Sequence, residues 1–148
     1  MQMHEIISHV RSLEGVLVVE PDENGPYPRL AWGDAFFYYA PDGVMPERTQ
    51  PYGTIVTKDY PDDTASRLDA PDRFRVNIHA GRERVASLAA PGVDPAEPDA
   101  FALHPVYGDA GWISVVNPGV RTADAVLLML DEAHEAARAR AARRRGTA

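Results

Sequence analysis

Residues 73–79 read Arg-Phe-Arg-Val-Asn-Ile-His, and their alternation decides the fold class. Phe74, Val76 and Ile78 fall on one side of an extended chain. Arg75, Asn77 and His79 fall on the other. A period of two marks a β-strand with one face against a core. Toward the C-terminus, Gly81–Leu88 predicts a helical turn or two. Pro91–Pro98 carries three prolines in eight residues and excludes a regular element. Trp112–Val116 is a second β-branched run, stopped by Asn117-Pro118-Gly119. Thr122 then caps a helix whose Val126, Leu127, Leu130, His134 and Ala137 share one face, and the tail 138–148 is expected to fray.

Toward the N-terminus, Asp63 is placed to cap a short helix through Leu68, and Gly53–Lys58 predicts a strand. Gly33-Asp34 lies between the strand-like runs Arg29–Trp32 and Ala35–Ala40, so a tight hairpin is expected there. In the second run Phe36 and Tyr38 point one way, Phe37 and Tyr39 the other. Val16–Glu20 is a further strand. Before it, Met3, Ile6, Ile7, Val10 and Leu13 recur at helical spacing, with Gly15 as a C-terminal cap. Links this short do not allow parallel crossovers, so the sheet is predicted to be largely antiparallel, with the N- and C-terminal helices on one face. The result is an α+β domain of two layers, covering residues 1–148 as a single unit.

Composition narrows the function. The 148 residues include no cysteine, which removes disulfides, thiolate metal sites and cysteine nucleophiles. The longest apolar run, Ala125–Leu130, is far too short to span a bilayer. The opening MQMHEIISHV lacks the basic start and apolar core of a signal peptide, so a cytoplasmic location without a membrane partner is expected. Acidic residues outnumber basic ones by 22 to 15, a net charge of −7. Setting aside Arg138, Arg140, Arg143, Arg144 and Arg145 leaves about −12 on the rest. Such a body repels a phosphate backbone, so nucleic acid is an unfavoured partner. Lys58 is the one lysine.

The segments AWGD (31–34), FFYYAPDG (36–43), TIVTKDYPDDTASRLD (54–69), RFRVNIHAGR (73–82), HPVYGDAGWISVVNPG (104–119) and AHEAARAR (133–140) together resemble an uncharacterised actinobacterial family, domain of unknown function 6194. More distantly the chain is similar to MmcQ/YjbR-like bacterial proteins. That wider group implies a frataxin-like sandwich, a sheet with helices on one side. The closer family implies a fold and no chemistry. Some members of the wider group carry a name implying DNA binding, which would need basic wings that this acidic body lacks.

The residues themselves offer several candidate groups. His79 ends a strand beside Gly81, and His104-Pro105-Val106-Tyr107 is a rigid loop carrying two polar rings. Either histidine can serve as an acid–base group near neutral pH, or as a plain surface or packing residue. Lys58 follows a strand and precedes Asp59-Tyr60; it can hold an anionic group or form an ordinary ion pair. Asp59, Asp62 and Asp63 match no calcium-loop spacing and suit a turn with a helix cap, so no metal and no cofactor are expected. If the second sheet face is open, Phe37, Tyr39 and Trp112 could floor a pocket with Lys58, Tyr60 and Tyr107 at its edge. The same aromatics could make a homodimer. Two functions follow from the residues. One is a domain binding a small molecule or protein on an aromatic sheet face. The other is a cofactor-independent enzyme using His104 or His79, with Lys58 as anion holder.

Overall fold

The computed structural model describes residues 1–146. Six strands form one sheet: β1 (Val16–Val19), β2 (Ala35–Tyr39), β3 (Gly53–Val56), β4 (Arg75–His79), β5 (Ala102–Leu103) and β6 (Trp112–Val116). Their order is β1-β2-β3-β4-β6-β5, and every neighbouring pair is antiparallel. Three helices accompany them: α1 (Met3–Arg11), α2 (Arg82–Leu88) and α3 (Ala123–Gly146). This is the α+β architecture that the alternation and short links imply. None of these helices is long and apolar enough to cross a membrane.

Side-chain parity sets the two faces. Ala35 and Phe37, Gly53 and Ile55, Val76 and Ile78, and Ile113 and Val115 point under the helices. There they meet Ile6, Ile7 and Val10 of α1, Val85 of α2, and Val126, Met129, Leu130 and Ala133 of α3. Gly53 lets α3 sit this close, since a β-carbon there would lie 3.0 Å from Leu130 and 3.2 Å from Phe37. The helical layer is tied across the length of the chain. His9 Nε2 donates to Asp131 (2.7 Å), and His134 Nε2 donates to the Glu14 carbonyl (2.7 Å). That donation leaves His134 Nδ1 to accept from the buried Tyr52 hydroxyl (3.0 Å).

The local elements differ from the pattern in five places. Arg29–Ala31 is a single 3-10 turn, and β2 pairs with β1 instead of forming a hairpin at Gly33-Asp34. Asp34 is drawn inward, where its carboxylate accepts from Thr57 N (2.9 Å), Thr57 Oγ1 (2.6 Å), Lys58 Nζ (2.9 Å) and the Tyr60 hydroxyl. Asp63 caps no helix, because its carboxylate turns to Arg75 and residues 61–70 form turns. The two-residue strand β5 had no pattern long enough to show it. Finally, the helix continues past Arg138 to Gly146 where fraying was expected. Alanine-rich sequence and the Arg138–Glu135 pair favour it, and the last two residues of the expected tail lie outside the described residues. Thr122 does precede α3, with its hydroxyl and amide both bonded to Asp99 (2.6 and 3.0 Å). Asp99 also accepts from the amides of Gly119 (2.8 Å) and Arg121 (2.9 Å). Burial opposes ionisation of Asp99, but these donors outweigh it and hold the carboxyl down at about 2.

Candidate functional site

The sheet face opposite the helices is covered in part. Tyr60 and Leu68, from the loop after β3, pack on Val56 and Val116. Beside them the face opens into a cavity of about 440 Å³. Phe36, Tyr60, Tyr107 and Trp112 supply its aromatic walls, and its polar lining includes Arg75, Asn77 and His104 together with the carboxylates of Asp62 and Asp63.

A polar network built around Arg75 underlies this cavity. Arg75 is 1% exposed although it opens β4 on the helix-free face. A guanidinium cannot shed its charge, so burial demands a counterion. Asp63 supplies it with two parallel bonds, Nη1 to Oδ1 at 2.9 Å and Nη2 to Oδ2 at 2.5 Å. Burial alone would raise the Asp63 carboxyl; the Arg75 bonds and charge outweigh it and leave the carboxyl below its ordinary value. Arg75 Nη1 also reaches Ser66 Oγ (3.0 Å), and Nε donates to Asn77 Oδ1 (2.8 Å). Asn77 Oδ1 accepts from Ser114 Oγ (2.8 Å) as well, while its Nδ2 donates to Thr54 Oγ1 (2.9 Å).

His104 is oriented by its own loop. Its Nδ1 accepts from the amides of Val106 (3.1 Å) and Tyr107 (3.0 Å). Pro105 has no N–H, so the next two amides fold back onto the ring. The proton therefore sits on Nε2. Arg75 Nη2 lies 3.3 Å from Nε2, but two N–H groups cannot bond each other, and Asp63 Oδ2 is 4.0 Å away. Among the described residues the Nε2–H has no acceptor at bonding distance. Burial, and then the Arg75 charge, push the imidazole down to about 4, so it is neutral at pH 7. His104 thus offers a fixed donor, and its basic nitrogen is occupied by backbone.

The cavity brings together His104, Tyr60, Tyr107 and Trp112 from the sequence candidates. It excludes others. Lys58 donates to the Trp32 carbonyl (2.8 Å) and to Asp34 (2.9 Å), closing the end of β2 instead of facing a ligand. Tyr39 lies under the helices, its ring 5.5 Å from that of His134, and Phe37 lies in the core beside it. Strand parity puts Phe36, their neighbour, on the cavity side. His79 is half-buried with its ring 5.4 Å from Trp112, outside the cavity; burial and then nearby Arg140 lower its pKa. The expectation missed Arg75, Asp63 and Asn77 as site residues. An arginine between Phe74 and Val76 within a strand-like run was the available signal for a buried ion pair, whereas nothing local pointed to Asp63 as its partner.

No curated protein and no solved structure matches the chain. A family model does match, over residues 1–146, and the chain belongs to that family of unknown function (DUF6194).

Proposed function

We propose that this chain is a small-molecule binding domain whose ligand presents a flat apolar body and a hydrogen-bond acceptor. One observation carries the reading: an aromatic-walled cavity of about 440 Å³ with the unmatched His104 Nε2–H at its lining. The volume lies in the range of small-molecule sites, roughly 300–1,000 Å³. Apolar walls with a few fixed polar groups are the ordinary make-up of such sites. An acid–base role for His104 finds little support, because the nitrogen that would take a proton already accepts two amides. Kinship with MmcQ/YjbR-like proteins is compatible with the antiparallel sheet and supplies no chemistry.

The test uses tolylnaphthylamine, an uncharged dye that fluoresces in apolar sites. The expected result is saturable, one-to-one binding with energy transfer from tryptophan. Ala31→Trp fills the cavity from a half-buried lining position and should weaken binding at least tenfold with the melting temperature little changed. Binding that is absent, or equally strong in the filled variant, overturns the reading.

A further inference from the structure

A second recess, of about 250 Å³, adjoins the cavity and shares Gln50, Pro51 and Trp112 with it. Its remaining walls are cationic or polar. Arg48 comes from the loop before β3 and His79 from the end of β4. Arg140 and Arg144 come from α3, four residues apart and therefore on one face of the helix. Among the described residues no carboxylate lines it. Arg140 is half-buried there and Arg48 lies at the exposed rim, so an anion entering the recess would meet both guanidiniums. Among the described residues neither Arg48 nor Arg140 forms an ion pair. Burial, and then the charges of Arg144 and Arg143, lower the Arg140 pKa, the signature of like charges held together.

We infer that this recess is the anion subsite of the same binding site, so that the ligand is a flat apolar acid. Its body occupies the cavity and its oxyanion reaches past Trp112 to Arg48 and Arg140. The chemistry is that of a carboxylate, sulfonate or phosphate ester, since a guanidinium fork matches each of them with paired N–H donors. The apolar cavity supplies area and the recess supplies charge. Trp112 contributes to both walls.

The inference rests on the small-molecule reading, and one pair of probes separates the two. Toluidinonaphthalene sulfonate and its desulfonated parent, tolylnaphthylamine, differ by a single anionic group. Titrated into the full chain at low salt, the sulfonate should bind at least tenfold more tightly than the parent. Arg140→Gln and, separately, Arg48→Gln should abolish that preference while leaving the parent's affinity unchanged. The loop variant guards against a helix defect in the other. If the parent binds and the sulfonate gains nothing, or both variants keep the preference, the anion subsite is wrong and the cavity reading stands. If neither dye binds, both fail.

Discussion

Replacing Asp63 by asparagine removes the carboxylate that faces the buried Arg75 and changes the volume of the side chain very little. Arg75 remains charged and keeps its bonds to Ser66 and Asn77, but it loses its counterion and one of the two parallel bonds, because the amide nitrogen of asparagine cannot accept. Stranding a buried charge in this way costs about 3–5 kcal/mol. For a domain of this size each kcal/mol lowers the melting temperature by roughly 2–4 °C, so Asp63→Asn should melt roughly 6–20 °C below the parent. Arg75→Met with Asp63→Leu removes both charges and should lose less than the two single changes added together, giving a coupling of at least about 1 kcal/mol. The effect also has a pH signature. The folded-state pKa of Asp63 is depressed, so its contribution is present above the ordinary carboxylate value and is lost as pH falls below it. The difference between Asp63→Asn and the parent should therefore shrink in acid. Differential scanning calorimetry across pH measures all three quantities. A loss under about 1 kcal/mol at neutral pH, or additive single changes, would refute Asp63 as the counterion that holds Arg75 in place.

Two further outcomes follow from the packing. Asp99→Asn weakens the four bonds at the start of α3 and, allowing for solvent screening, should cost about 1 kcal/mol. The parent's contribution is complete above pH 3.8 and fades toward pH 2, so melting curves of parent and variant should converge over that interval. Tyr52→Phe leaves His134 Nδ1 buried without its donor, and urea unfolding should show a loss of about 1–3 kcal/mol with an unchanged denaturant slope. A change in slope instead would mean that the substitution altered the compactness of one of the two states.

The sheet was legible because its signals are local. Alternation in β4, the β-branched run of β6 and the helical spacing of α1 each follow from contacts with a single core. The errors share a different cause. Gly33-Asp34 and Asp63 carry turn and cap chemistry that short-range patterns reward, yet each aspartate is used by a partner far along the chain, Asp34 by Lys58 and Asp63 by Arg75. A buried carboxylate answers to its nearest cation in space, and spacing along the sequence does not encode that. The candidate site was half legible for the same reason. Tyr60, His104, Tyr107 and Trp112 could be singled out as residue types, while choosing Phe36 over Tyr39 required knowing which face the helices cover.

Strand order has a bearing on how the chain folds. From β1 through β4, neighbours in space are also neighbours in sequence, so pairing can advance as the polypeptide is made. Its cover does not keep pace. α3 is the last element of the fold, and the bonds from His9 to Asp131 and from His134 to Glu14 close only when it docks. At about 5–20 residues per second, synthesis of a segment the length of α3 takes on the order of seconds, far longer than hairpin formation. During that interval Phe37, Ile55, Val76 and Ile113 line a nascent sheet whose main lid has yet to be made, and this is when the protein is most open to misassociation.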